Sequence, residues 1–188
     1  MSRRLEAVLA AIDDANAADP AREDGEPAAL LYGRRMSEVL DAFAPGASDH
    51  LRIACRGQHI ERWTRPRADW PEGRAGYLRW RTELKAYHAE RVVELMAEAG
   101  WPEADRARVG SLVRKEGLRR DAEAQTLEDV ACLVFMHWYF APFAETQSPE
   151  KIAGIVAKTG RKMSAPGRAA ALRLGLPDHL AAALEGGI

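Results

Sequence analysis

The chain has 188 residues, with 27 basic and 28 acidic side chains, a formal net charge of −1, 47% hydrophobic residues and 29% charged residues. That length supplies one domain with a core of its own, in the balance of an ordinary globular protein. It excludes a collagen-like chain, a disulfide scaffold and a wholly disordered chain. The longest uncharged run, Val130 to Ala144, is too short to span a bilayer and contains His137 and Pro142.

Alanine occurs 35 times, and arginine outnumbers lysine 22 to 5. Both favour helix, so the composition predicts an all-helical protein. Cys55 and Cys132 lie far apart with no CxxC spacing, which fits free buried thiols and a cytoplasmic location. The start, Met1-Ser2-Arg3-Arg4, leads into alternating apolar and acidic residues, with no signal-peptide or transit-peptide character.

In chain order, Leu5, Val8, Leu9 and Ile12 recur at helical spacing and predict a first amphipathic helix that stops near Asp19-Pro20. An acidic loop, Arg22 to Pro27, separates it from a second helix over about Ala28–Phe43, ended by Pro45-Gly46. Ser48 or Asp49 is placed to cap a third helix running to about Trp63. Thr64 to Gly73, with two prolines, reads as a loop, and a long helix follows from about Gly76 to Ala99 with Gly100 at its C-cap. Pro102 opens a helix ending near Lys115-Glu116-Gly117, and the most apolar helix spans about Glu123 to Phe140. Ser148-Pro149-Glu150 introduces another, and two short helices from about Ala165 and Pro177 close the chain. No stretch shows sustained period-two alternation. The expectation is eight or nine helices in a single domain over 1–188: an N-terminal helix over 1–20, a core over 28–144 and C-terminal helices over 148–188.

The small net charge hides a split. Residues 1–50 carry net −5, residues 51–91 net +5 and residues 92–188 net −1. The basic stretch also holds Trp63, Trp70, Trp80, Tyr77 and Tyr87, and seven of its arginines (Arg56, Arg62, Arg65, Arg67, Arg74, Arg79 and Arg81) crowd around one loop. Guanidinium groups are planar forks of donors suited to phosphate or carboxylate, and a neighbouring aromatic ring can stack on a base or wall a pocket. The alternative is that these arginines are solvated on helix faces or paired with Glu61, Asp69, Glu72 and Glu83.

Within this stretch, Arg52, Arg56 and Trp63 stand at offsets −7, −3 and +4 from His59, which places all four on one side of a continuous helix. A histidine there can be a general base, a metal ligand, a phosphate hydrogen-bond donor or a structural residue. Tyr77, Trp80, Arg81, Leu84 and His88 form one long helical stripe, in which Arg81 and His88 would need polar partners if buried. Asp121 and Glu123 suit a helix N-terminus. Asp129 precedes an apolar run and is expected to enter the interior, where a buried carboxylate needs a partner; His59, Lys115 and the basic segment are the candidates. Lys162-Met163-Ser164 matches the first residues of the KMSKS loop of class I aminoacyl-tRNA synthetases, but the second Lys-Ser, a HIGH signature and βαβ alternation are all missing, which excludes that reading.

Four segments together, Tyr32-Gly33-Arg34-Arg35-Met36, Arg56 to Trp63, Gly73 to Arg81 and Glu123 to Phe135, resemble the domain-of-unknown-function family DUF4202 over nearly the whole chain. A more distant resemblance is to the HD-domain phosphohydrolases, all-helical enzymes in which two histidines and two aspartates hold a divalent metal. By that resemblance His59 matches the histidine of the His-Asp pair and Asp129 the late aspartate, Lys115 occupies the region of an auxiliary histidine, Tyr32 stands in place of the first histidine and Ile60 in place of the paired aspartate.

The resulting expectation is a variant HD-like hydrolase acting on a nucleotide or other phosphate ester through an arginine-rich pocket. His59 and Asp129 are its catalytic candidates, and Arg56, Arg62, Arg74, Trp80, Arg81, His88 and Lys115 its ligand-binding ones. The alternative is a non-catalytic module for a phosphorylated small molecule or single-stranded nucleic acid, although the net charge gives nucleic acid no support. No membrane partner is expected, and the sequence names no metal or cofactor.

Overall fold

The computed structural model describes residues 2–186, and its fold is all-α. Ten α-helices are present among the described residues. They are α1 (Arg3–Ala17), α2 (Ala28–Phe43), α3 (Asp49–Gly57), α4 (Gly73–Glu98), α5 (Glu103–Arg114), α6 (Ala122–Val134), α7 (Phe140–Glu145), α8 (Pro149–Lys162), α9 (Ala165–Leu172) and α10 (Asp178–Glu185). None is long and apolar enough to cross a membrane.

Side-chain oxygens start several of these helices by accepting from free backbone N–H groups. Ser48 accepts from Leu51 N–H for α3, and Asp121 accepts from Glu123 and Ala124 N–H for α6. Ser148 and Ser164 start α8 and α9 in the same way, each followed within two residues by proline.

The apolar stripes of α1 to α6 meet in the main core, where Leu5, Ile12, Met36, Ile53, Met96 and Leu127 are shut off from solvent. A second cluster, built from Leu133, Met136, Phe140, Val156, Met163 and Leu184, holds α8, α9 and α10 against the end of α6. Gly160 makes that packing possible, because a Cβ there would lie 2.4 Å from the Leu184 carbonyl oxygen.

The structure departs from the sequence reading in three places. The acidic loop closes into an antiparallel pair, β1 (Arg22–Glu23) and β2 (Glu26–Pro27), with Arg22 opposite Pro27 and Glu23 opposite Glu26. Its turn, Asp24-Gly25, has both residues at positive φ, the geometry that an Asp-Gly hairpin turn favours. The third helix ends at Gly57 rather than near Trp63: Glu61 takes a left-handed φ of 50° and its N–H donates to Asn16 Oδ1 at 3.0 Å, which turns the chain off the helix axis. The most apolar helix is interrupted by a π-helical turn, Phe135–Tyr139, which separates α6 from α7 and raises the number of helices above the expected eight or nine.

Candidate functional site

The segment between α3 and α4 is built as a rigid wall. Arg67 donates to the carbonyls of Trp70 and Pro71, both at 2.9 Å, and Trp80 Nε1 donates to Arg65 O at 3.0 Å. A Cβ on Gly76 would lie 1.9 Å from Pro71 O, so glycine lets this loop lie directly on α4. Opposite stand the end of α5, one face of α6, the π-turn and the last turn of α8. The cleft between them has a volume of about 710 Å³ and includes Arg62, Trp80, Arg81, Lys115, Glu128 and Lys162 in its lining. A narrow inner recess of about 50 Å³ continues from it, bordered by Gln58, His59, Lys85 and His88.

Positive charge dominates the cleft. Lys115 forms an ion pair with Glu128, and Lys162 Nζ lies 4.0 Å from the same carboxylate. Arg62, Arg81 and Lys85 have no carboxylate partner among the described residues. Arg62 rests over the Trp80 ring at 5.0 Å, and Arg81 donates only to the Tyr77 hydroxyl at 3.3 Å. Burial pushes the pKa values of Arg62 and Lys85 down, and Arg81 pushes both further. Burial alone would raise the Glu128 pKa, but Lys115, Lys162 and Lys85 hold it below the usual carboxylate range. One carboxylate therefore faces five cations.

The two histidines are neutral by their surroundings. His59 stacks on Tyr32 with ring centres 4.5 Å apart and lies 5.8 Å from the His88 ring. Its ring keeps a partly exposed edge on the cleft, yet crowding makes burial the first cause that drives its pKa well below 6.5, followed by Arg62 and His88. His88 is 2% exposed, and its Nδ1 lies 2.7 Å from the Ile60 carbonyl, which fixes the proton on Nδ1. Burial lowers its pKa to about 4 against that bond, with Arg62 and Arg65 adding to the shift. His88 Nε2 and Gln58 Oε1 are buried without a hydrogen-bond partner.

Of the residues expected at the site, the structure gathers His59, Arg62, Trp80, Arg81, His88 and Lys115 around the cleft and its recess. It places three elsewhere. Arg56 makes a two-pronged pair with Asp13 at 2.7 and 2.9 Å and donates to Ser37 Oγ, tying α3 to α1 and α2. Because α3 stops at Gly57, Arg52 and Arg56 do not share a helix face with His59, and Arg52 pairs with Asp41. Arg74 is exposed in the first turn of α4. Asp129 is buried, as expected, but its partners are not the proposed basic groups. It accepts from Ser164 N at 2.8 Å, Ser164 Oγ at 2.5 Å and Gln125 Nε2 at 3.2 Å, and so fixes the corner between α8 and α9. Successive helical residues are turned about 100° apart, so α6 sends Glu128 toward Lys115 and Asp129 away from it.

Sequence reasoning missed Gln58, Lys85 and Lys162 as site residues. Lys85 stands four residues after Arg81 on α4, a spacing that would have found it. Lys162 comes to the cleft only through the tertiary packing of α8 on α6.

The family model for the domain of unknown function DUF4202 matches residues 6–184. The chain belongs to that family. No curated protein and no solved structure matches it. The DUF4202 cleft therefore has to be read from its own chemistry. Among the described residues no group of three His, Cys, Asp or Glu side chains stands ready to hold a metal ion. The donor set that the HD-domain resemblance implies does not fit a metal in this chain. Tyr32 is pressed flat on His59, Ile60 is apolar, and both Asp129 oxygens are engaged by Ser164.

Proposed function

We propose that the cleft binds a phosphorylated small molecule, with Arg62, Arg81, Lys85, Lys115 and Lys162 surrounding its phosphate. The supporting observation is the convergence of three cations without carboxylate partners on one concave site. Cations held together at an energetic cost are relieved when an anion enters, and charge-assisted bonds from arginine to phosphate are about twice as strong as neutral ones. Tyr77, Trp80, Phe135, Tyr139 and Phe143 give the same cleft an aromatic lining for the organic part of the ligand. The free, buried state of Cys55 and Cys132 fits a cytoplasmic setting for this role.

A second reading adds hydrolysis and keeps the HD-like ancestry. Its support is that His59 sits on the cleft wall as a neutral imidazole. In that reading His59 accepts a proton from an attacking water, a new P–O bond forms, the ester P–O bond breaks, and the departing alkoxide is protonated by solvent. Asp129 has no part in it, being bound to Ser164.

Titration calorimetry tests the binding reading with inorganic phosphate, a nucleoside monophosphate, a sugar phosphate and a short single-stranded RNA. The expected result is binding of phosphomonoesters that falls at least tenfold in Arg62→Ala or Arg81→Ala. Absence of phosphomonoester binding by the folded protein overturns the proposal, and tighter binding of RNA than of the mononucleotide assigns the cleft to nucleic acid. Release of phosphate that is lost in His59→Gln supports hydrolysis.

A further inference from the structure

The inner recess is chemically unlike the cleft that leads to it. At the mouth, Arg62, Arg81, Lys85 and Lys115 offer donors and positive charge. At the back are two buried acceptor atoms without partners, one on His88 and one on Gln58, whose amide nitrogen is a donor besides. His88 Nδ1 faces a carbonyl oxygen, which can only accept, so Nδ1 carries the proton and Nε2 presents a lone pair. Gln58 presents its Oε1. Gln58 and His88 are 7% and 2% exposed, and neither acceptor atom has a partner. Buried polar atoms are normally paired, and an unpaired one carries a desolvation cost that a suitable partner removes. A phosphate dianion has no hydrogen to give them. What fits an acceptor pair set behind a cluster of cations is a hydroxyl group on a molecule whose phosphate stays with the cations.

We propose that Gln58 Oε1 and His88 Nε2 form a hydroxyl-reading end of the cleft, so that the ligand is a hydroxylated phosphomonoester of the sugar phosphate type. The inference rests on the phosphate-binding reading above and deepens it. Two sources share the chemistry, free sugar phosphates and the ribose of nucleotides. The recess, at about 50 Å³, takes a hydroxyl with its carbon and not a ring, so the rest of the ligand lies in the 710 Å³ cleft. Sites built to hydrogen-bond a hydroxyl reject analogues that lack it, because the buried acceptors are left unpaired.

The decisive experiment compares ribose 5-phosphate, n-pentyl phosphate, ribose and adenosine 5′-monophosphate by titration calorimetry on the wild-type protein at pH 7.5, in two buffers of different ionisation enthalpy. The expected order has ribose 5-phosphate binding at least tenfold tighter than n-pentyl phosphate, with no proton taken up. Gln58→Met, a change of similar volume, is expected to reduce that ratio to about threefold or less while n-pentyl phosphate affinity holds. Adenosine 5′-monophosphate binding more tightly than ribose 5-phosphate identifies the nucleotide source, and the reverse order the free sugar phosphate; both agree with the inference. Equal affinity for ribose 5-phosphate and n-pentyl phosphate overturns the inference and leaves the phosphate reading standing. Uptake of about one proton that is absent in His88→Asn also overturns it, since an oxyanion would then have entered the recess and protonated His88. Ribose binding as well as its phosphate removes the underlying reading, and failure of all four to bind removes both.

Discussion

Arginines that look alike in the sequence do different work once folded, and substitution separates them. Arg56 is held by Asp13, Ser37 and the Gly33 carbonyl, with side-chain exposures of 15% for the arginine and 24% for its aspartate. Arg56→Ala leaves Asp13 without its partner inside a three-helix contact, and the expected loss is about 2 kcal/mol, the cost of breaking a buried pair reduced for partial exposure. Arg81 is exposed, with one long bond to Tyr77. Arg81→Ala is expected to change stability by less than about 0.5 kcal/mol while weakening phosphomonoester binding at least tenfold. Urea unfolding and ligand titration on both variants check this, and the reverse pattern would remove Arg81 from the site. Asp129 teaches the same distinction. Its burial was legible from the apolar run behind it. Its partner was not, because Ser164 lies 35 residues away and reaches it only through the turn between α8 and α9.

Helix boundaries were readable wherever local chemistry sets them. α2 spans Ala28–Phe43 as its apolar spacing predicts, and Ser48, Asp121 and Ser148 cap the helices they precede. Reading failed where a distant contact decides. Asn16, 45 residues from Glu61, receives the N–H of a left-handed residue and turns the chain out of α3; nothing in Arg56 to Trp63 announces it. The two inner glycines of α8 carry the matching prediction for element packing. Gly154 has open space around its missing Cβ, whereas a Cβ on Gly160 would press into the α10 backbone at 2.4 Å. Gly154→Ala should therefore stabilise the protein by about 0.5–1 kcal/mol, since helical alanine loses less backbone entropy than glycine. Gly160→Ala should destabilise it by about 1–3 kcal/mol by forcing α10 away from α8. Thermal and urea unfolding of the pair decide it: two variants shifted in the same direction would mean that α8 and α10 do not pack in this register.

The folded molecule brings Arg62, Arg81 and Lys85 of its basic stretch to one cleft and sets His59 and the buried His88 beside them, and this makes its stability depend on pH in a definite direction. His88, at about 4, and His59, well below 6.5, are both depressed by burial and by facing cations: Arg62 and Arg65 for His88; Arg62, Lys115 and Arg81 for His59. Above pH 6.5 both rings are neutral whether the chain is folded or not, so they impose no penalty. As the pH falls below 6.5 the unfolded chain takes up protons that the folded one refuses, and stability decreases until the folded-state pKa is reached. For His88 alone the window runs from 6.5 to about 4, and between pH 7 and pH 5 the loss is about 2 kcal/mol, with His59 adding to it. The carboxylates act in a lower range. Asp121, held at about 2 by Arg108, and Glu128, held down by Lys115, lose their contribution only as the pH drops below their ordinary values of 3.8 and 4.5. Urea unfolding at pH 7 and pH 5 therefore isolates the histidines. His88→Asn keeps a donor near the Ile60 carbonyl and removes the titrating ring, so its pH-dependent loss should be smaller than that of the wild type by about 2 kcal/mol. An unchanged loss would place the proton uptake elsewhere in the molecule.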